Sequence, residues 1–134
     1  MHYWLVKTEP EEYSYDDLVK EHHTKWDGVN NALARRHMRN MAVGDKVFVY
    51  HTGKQRAIVG VAEVCSEVYP DEESSGIAID LQAVRALPRH ISLKQIKLLP
   101  EMASWELVRL PRLSVMPVPA DIWANLMEMA HTRQ

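Results

Sequence analysis

Cysteine is nearly absent from this chain, and that scarcity limits the classes of protein to consider. Cys65 is the single cysteine among 134 residues, so an internal disulfide is impossible and a reducing compartment is the default expectation. No apolar run approaches the roughly 20 residues that a membrane-spanning helix needs. No charged and then apolar signal segment opens the sequence either. These absences favour a cytoplasmic protein with no membrane partner.

The motifs of common catalytic and nucleotide-binding sites are also missing. The sequence contains no Gly-x-Ser-x-Gly elbow, no complete phosphate-binding loop and no dinucleotide-binding glycine pattern. Gly53-Lys54 is only the tail of a phosphate loop, and we expect a hairpin turn there. One cysteine and histidines without ligand spacing, such as His22 and His23, predict no metal site. We therefore expect no enzyme activity, no metal and no cofactor.

Charge is unevenly distributed, although the net charge is only −2. Residues 31–56 carry six lysines and arginines against one aspartate, and residues 85–112 carry six against two glutamates. Affinity for nucleic acid follows the number of phosphates that a protein neutralises. A mildly acidic chain therefore needs a selective pocket more than a wide basic surface. The side chains expected to contact phosphates are Arg35, Arg36, Arg39, Lys54 and Arg56.

Apolar periodicity and capping patterns predict a small α+β domain. Strands are expected over residues 2–6, 46–51, 57–69, 77–85 and 113–118, and helices over residues 15–21, 32–40 and 120–130, with another helix between Ser92 and Pro100. The apolar face of the last helix, which contains Trp123 and Met127, is expected to be core. About five or six strands with interspersed short helices favour a curved sheet or barrel.

The segment 26–35 has the composition of a site for a planar ligand. Trp26 offers a flat apolar face, while Asn30 and Asn31 each offer hydrogen-bond donors and acceptors. This combination suits recognition of a planar heterocycle. Asn31 is equally suited to capping the following helix, and Trp26 to a half-buried place in the core.

Seven ordered motifs carry a resemblance to a known family. They are Tyr-Trp-Leu-Val-Lys-Thr-Glu-Pro at 3–10, Trp-Asp-Gly-Val-Asn-Asn at 26–31 with Ala-Arg at 34–35, Gly-Asp at 44–45, Phe-Val-Tyr-His at 48–51, Ile-Val-Gly-Val-Ala-Glu-Val at 58–64, Tyr-Pro-Asp at 69–71 and Arg-Leu-Ser-Val-Met-Pro-Val at 112–118. In this order they resemble the EVE domain of the PUA-like superfamily, which includes thymocyte nuclear proteins and small bacterial proteins.

The resemblance implies both a fold and a binding function. The implied fold is a PUA-like curved β-barrel of about five or six strands with flanking short helices, a single domain over residues 1–134. The implied function is non-catalytic binding of nucleic acid, DNA or RNA, with a modified base held in a pocket. Carried over by position, the pocket residues are Lys7, Thr8, Glu9, Trp26, Val29, Asn30, Asn31, Tyr50, His51, Thr52, Ser114, Val115 and Met116.

Simple physical chemistry fits such a pocket. Stacking on Trp26 or Tyr50 returns roughly 1–3 kcal/mol, which offsets the few kcal/mol that a flipped base loses on unstacking. Amide and hydroxyl groups select the base edge, and Glu9 accepts from an exocyclic amine. One departure stands out: the family usually has arginine where this chain has Asn30. A cation beside the pocket is then missing unless Arg35 or Arg36 replaces it.

Two other classes of function compete with this hypothesis. An enzyme acting on a modified or damaged nucleotide could use Glu9 or His51 as acid or base, but the chain lacks a nucleophile motif and a metal set. A protein–protein adaptor could use the methionine-rich last helix, but the helical spacing of those methionines indicates core packing. We therefore expect a nucleic-acid partner and assume a monomer.

Overall fold

The architecture is a mixed sheet of seven strands surrounded by five short helices, seen in a computed structural model that describes residues 1–73 and 75–131. The strands are β1 (Tyr3–Thr8), β2 (His23–Trp26), β3 (Lys46–His51), β4 (Ala57–Val64), β5 (Tyr69–Asp71), β6 (Gly76–Ser92) and β7 (Val115–Pro117). The helices are α1 (Tyr15–Glu21), α2 (Ala32–Arg39), α3 (Leu93–Lys97), α4 (Glu106–Arg109) and α5 (Ala120–His131), with a 3-10 turn at Pro100–Met102.

The strand order places two loops of the candidate site side by side. The order is β2-β6-β4-β3-β1-β7, with β5 paired to β6. β1 and β3 are parallel, with Thr8 opposite His51, whereas β7 runs antiparallel to β1 at the edge of the sheet. Because the carboxyl ends of parallel strands meet at one edge, the loops after β1 and β3 lie together.

The predicted α+β class with short flanking helices is confirmed, and the sheet has seven strands rather than five or six. No pairing among the described residues joins β2 to β7, so the sheet is not closed into a barrel there.

Capping residues determine where the helices begin, as the sequence predicted. The Ser14 hydroxyl accepts from the Asp17 N–H and the Asp17 carboxylate accepts from the Ser14 N–H, which completes a capping box for α1. Ser92 and Gln95 form the same arrangement for α3. Asn31 caps α2, since its Oδ1 accepts from the Ala34 N–H at 3.0 Å. The N-cap interpretation of Asn31 is therefore confirmed.

The strands differ from the prediction in three places. The single strand expected over residues 57–69 is divided into β4 and β5, and β5 forms a hairpin with the start of β6. β6 continues beyond residue 85 to Ser92. β2 was not predicted; it pairs antiparallel with β6, with Trp26 opposite Ile79, and so brings Trp26 to the site.

The core lies between the sheet and α5, around an aromatic stack. The Trp123 ring stacks on Phe48 with centroids 3.8 Å apart and on Tyr3 with centroids 4.6 Å apart. Met127 and Met129 pack against the same core, which confirms the predicted role of the apolar face of α5. None of the described helices is long and apolar enough to cross a membrane.

Candidate functional site

A cavity of about 300 Å³ opens where β1 ends. Residues from three separate segments line it: Lys7, Thr8 and Glu9, then Glu12 and Tyr13, then Trp26 and Asp27. We call it the Trp26 cavity. It unites four of the predicted pocket residues, and it adds Glu12, Tyr13 and Asp27, which sequence reasoning did not select.

Trp26 is packed into the wall of this cavity. Its side chain is mostly buried, and the Tyr13 ring meets it edge-on with centroids 6.1 Å apart and planes at 83°. The Tyr13 hydroxyl donates a 2.5 Å hydrogen bond to Glu21. Burial and this bond raise the pKa of Tyr13 to about 12, so the phenol stays neutral. Trp26 is thus both a core residue and a cavity wall.

Glu9 is positioned as an acceptor by the loop after β3. The Thr52 hydroxyl donates to Glu9 Oε2 at 3.2 Å, and the Thr52 N–H donates to the Thr8 carbonyl at 2.9 Å. The Thr8 hydroxyl donates to the Tyr13 carbonyl at 2.7 Å, so this hydroxyl orders the loop. The two strand ends therefore fix the carboxylate at the cavity wall.

A second cavity of about 270 Å³ lies on the other side of Lys7. It is lined by Lys7, Tyr50, Thr52, Gly53, Arg56, Leu93, Lys97, Leu107 and Pro111, and we call it the Tyr50 cavity. Lys7 Nζ lies 5.6 Å from the centroid of the Tyr50 ring and donates to the Pro111 carbonyl at 2.9 Å. Burial lowers the pKa of Lys7 and raises that of Tyr50. Lys7 thus stands at the junction of the two cavities.

Asn31 lines a third, largely apolar cavity of about 330 Å³ with Leu33, Leu110, Pro111, Arg112 and Leu113. Pro111 also lines the Tyr50 cavity, so the two adjoin. Of the neighbouring predicted residues, Val29 is buried and Asn30 is exposed.

His51 has a structural role instead of the predicted place in the pocket. Its Nε2 accepts from the Tyr15 N–H at 3.0 Å, and its Nδ1 lies 2.8 Å from Gln55 Oε1. Because Nε2 accepts, Nδ1 carries the proton and donates to Gln55. Both ring nitrogens are therefore engaged, and His51 ties α1 to the loop between β3 and β4. These partners are distant in sequence or in a loop, so no local pattern indicated them.

The pocket residues predicted at the start of β7, Ser114, Val115 and Met116, lie behind the cavities. Val115 and Met116 are fully buried where β7 pairs with β1, opposite Val6 and Leu5. Neither lines the Trp26 cavity or the Tyr50 cavity. Ser114 contributes its carbonyl, which accepts from the Lys7 N–H at 2.9 Å. The β7 segment thus supports Lys7 from behind.

The predicted phosphate contacts occupy two different surfaces. Arg35 is half-buried, and its Nε donates to the Val29 carbonyl at 2.6 Å, so it anchors the loop before α2. Arg36 and Arg39 are exposed on α2, whereas Lys54 and Arg56 are exposed in the loop between β3 and β4. Lys94 and Lys97 of α3 lie beside Lys54 and Arg56 and were not selected. The cluster of lysines and arginines in residues 85–112 was the sequence feature that could have indicated these two lysines.

Comparison with known proteins places this geometry in a family. The EVE domain family model matches residues 2–129. Mouse thymocyte nuclear protein 1 is 29% identical over 97% of this chain and 74% of its own length. The chain spans about half the length of the rat and chicken proteins of that name, 55% and 51%.

Solved structures share the fold over nearly the whole chain. A crystal structure of the protein Atu2648 from Agrobacterium tumefaciens has a TM-score of 0.93 and 35% identity, covering 98% of this chain and 94% of that one. A crystal structure of human THYN1 protein in complex with 5-methylcytosine containing DNA has a TM-score of 0.91 and 26% identity, covering all of both chains.

Proposed function

The chain belongs to the EVE domain family and has its PUA-like fold, and on that premise we propose that it binds nucleic acid and reads a modified base in the Trp26 cavity without catalysing a reaction. The observation that carries the proposal is the position of Glu9, a fixed acceptor in a cavity walled by Trp26. Human THYN1 has been crystallised with DNA containing 5-methylcytosine, which supports the same ligand class here.

The size of the Trp26 cavity suits a single base. Its volume of about 300 Å³ lies at the lower end of the range for small-molecule sites. A flipped base costs a few kcal/mol of unstacking, least when the base is modified, mismatched or in a single strand. Contact with an aromatic ring returns roughly 1–3 kcal/mol. The cavity therefore favours bases that leave their stack easily.

The charge of the Trp26 cavity selects which part of a nucleotide enters. Glu9, Glu12 and Asp27 line it, with Lys7 at one end. Carboxylates accept hydrogen bonds and repel phosphates, so they favour a base edge with an exocyclic amine, such as cytosine N4. A base enters this cavity, and the backbone stays outside it.

Three structural details favour binding over the alternative functions. His51, the candidate acid or base, has both ring nitrogens engaged within the fold. No group of three or more metal-binding side chains occurs among the residues that the structure describes. Met127 and Met129 pack on the core, so they do not offer a free methionine face to a partner protein.

The exposed cations indicate which side chains contact phosphates, and the free cysteine Cys65 indicates the compartment. Arg36 and Arg39 on α2, together with Lys54 and Arg56, are exposed cations available to phosphates. The single domain acts in the reducing cytoplasm, where the free thiol of Cys65 persists, and DNA and RNA are both candidate ligands.

A binding experiment with matched oligonucleotides tests the proposal. Fluorescence anisotropy compares DNA and RNA strands that differ only in carrying 5-methylcytosine, cytosine or thymine at one position, with wild type, Glu9→Gln and the exposed control Glu67→Gln. We expect wild type and the control to prefer the 5-methylcytosine strand over the other two, and Glu9→Gln to lose the preference over thymine, because an amide NH₂ replaces one acceptor of the 4-amino group that thymine lacks. Equal affinity of the wild type for modified and unmodified strands would contradict base reading. Mass spectrometry of the same oligonucleotides should show no altered base, and turnover would instead support an enzyme.

A further inference from the structure

A basic cleft of about 580 Å³ lies between α3 and the loop that joins β3 to β4. It is lined by Lys54, Gln55, Arg56, Ser92, Leu93, Lys94, Lys97 and Leu98. We call it the α3 cleft. Four of these residues are cations, and no aspartate or glutamate is among the described residues that line it. This charge is opposite to that of the Trp26 cavity, where three carboxylates meet one lysine.

The α3 cleft adjoins the candidate base site through shared lining residues. Arg56, Leu93 and Lys97 line both the cleft and the Tyr50 cavity. Lys7 in turn lines both the Tyr50 cavity and the Trp26 cavity. A row of adjoining cavities therefore runs from the carboxylates around Trp26, past Lys7, to the cations of α3.

Arg56 is held in this row by a strained backbone. Its φ of 44° lies in the left-handed region, which is uncommon for a residue other than glycine. The Arg56 carbonyl accepts from the Leu93 N–H at 2.8 Å, and its Nε donates to the Gly53 carbonyl at 3.3 Å. Strain of this kind persists only where the surroundings hold it, and it concentrates at functional sites. The start of α3 thus fixes the Arg56 backbone, and the Gly53 carbonyl holds its side chain beside both cavities.

No carboxylate among the residues that the structure describes forms an ion pair with a cation of the cleft. In the described part of the chain the ion pairs are made by Lys25 and Lys46, and no cation of the cleft takes part in them. Although the net charge of the protein is −2, four cations without a carboxylate partner among the described residues line one concave surface. Such a surface raises the local concentration of anions.

We infer that the α3 cleft binds the backbone phosphates of the strand whose base occupies the Trp26 cavity, with Lys94 and Lys97 as contacts alongside Lys54 and Arg56. The inference rests on the proposed base reading, because the row of adjoining cavities includes both sites. Phosphate contacts position a strand and base contacts specify it. The acidic cavity and the basic cleft therefore divide these two tasks over adjacent surfaces.

The test removes the two lysines of α3 and follows the salt dependence of binding. Lys94→Ala/Lys97→Ala is compared with Lys20→Ala/Arg85→Ala, which removes equal charge from exposed residues that line neither the cleft nor the two cavities beside it. The probe is a single DNA strand with or without 5-methylcytosine. Affinity falls with salt, so the slope of log affinity against log salt is negative. We expect the α3 variant to lower the magnitude of this slope by about 1.4, since each single-strand phosphate contact contributes about 0.7.

The salt slope tests the α3 cleft, and the preference for the modified strand tests base reading, so the two proposals can fail separately. We expect the α3 variant to bind both strands more weakly by the same factor, and Lys94→Arg/Lys97→Arg to restore the slope. An unchanged slope, with the wild-type preference intact, would overturn the cleft and leave base reading in place. A lowered slope with no preference in the wild type would support the cleft and overturn base reading. Failure of the wild type to bind either strand would overturn both.

Discussion

The Thr52 hydroxyl donates a 3.2 Å hydrogen bond to the Glu9 carboxylate, joining the loops that follow two parallel strands. The Thr52 N–H makes a second link at 2.9 Å to the Thr8 carbonyl. β1 and β3 pair in parallel, and the connection between them contains α1, β2 and α2. The position of one carboxylate therefore depends on the topology of the sheet and on one side-chain contact.

Thr52→Val should loosen Glu9 while leaving the fold intact. The valine keeps the shape of the side chain but removes the donor to Glu9, so we expect a weaker preference for 5-methylcytosine over thymine, which lacks the 4-amino group. The free energy of unfolding should fall by about 1 kcal/mol or less, the usual net value of one hydrogen bond. Anisotropy titrations and urea melts measure the two effects. Thr52→Ser, which keeps the hydroxyl, should retain the preference, and a Val variant with unchanged preference would show that Thr52 does not position Glu9.

Asp45 should make the protein sensitive to acid. This buried carboxylate accepts from Trp4 Nε1 at 2.9 Å, from the Ala42 N–H at 3.0 Å and from the His2 N–H at 3.2 Å. Burial alone favours the neutral form, but these bonds outweigh it and hold the pKa of Asp45 below its usual 3.8. The folded state therefore binds fewer protons than the unfolded state, and the stabilisation is fully present above pH 3.8.

That stabilisation should be lost as the pH falls from 3.8 through the lowered pKa of the folded state. Urea melts over this range should show the loss for wild type and for the exposed control Glu67→Gln. Asp45→Asn should be less stable at neutral pH, because an amide replaces the acceptor of three bonds, and it should lack this part of the acid dependence. An Asn variant with the same acid dependence would assign the effect to other carboxylates.

Local signals predicted the elements whose formation depends on neighbours in sequence. The pair Ser14 and Asp17 located α1, and the pair Ser92 and Gln95 located α3, because a capping box is closed within four residues. β2 was missed, since His23–Trp26 is short and partly exposed and becomes a strand only by pairing with β6. Such tertiary pairing leaves little trace in a four-residue segment.

The same distinction explains what could be predicted of the site. Lys7, Thr8 and Glu9 were selected only through the resemblance to the EVE domain, and Trp26 because its flat aromatic face precedes two amides. The partners of His51 could not be predicted, since its Nε2 accepts from the backbone N–H of Tyr15, which is remote in sequence. The lysines of α3 were missed because a contact between Leu93 and Arg56, remote in sequence, brings them to the site.

Gly53 and Gly28 provide a matched pair that separates backbone strain from displacement of Glu9. Both have positive φ, +75° and +72°, so alanine at either position should cost about 1–2 kcal/mol of stability. A Cβ at Gly53 would lie 3.0 Å from Glu9 Oε2, whereas a Cβ at Gly28 would have nothing within 4 Å. Only Gly53→Ala should therefore move the carboxylate.

We expect Gly53→Ala and Gly28→Ala to melt at similarly lowered temperatures but to differ in binding. Gly53→Ala should weaken the preference for a strand with 5-methylcytosine over one with thymine, because the displaced Glu9 accepts less well from the 4-amino group that thymine lacks. Gly28→Ala should keep that preference, since its methyl group points into open space and leaves Glu9 in place. Differential scanning fluorimetry gives the stabilities, and anisotropy titrations give the preferences. If both variants kept full discrimination, the acceptor role of Glu9 would be wrong even though the fold and the cavity remained, because the methyl group at residue 53 can be accommodated only by moving that carboxylate.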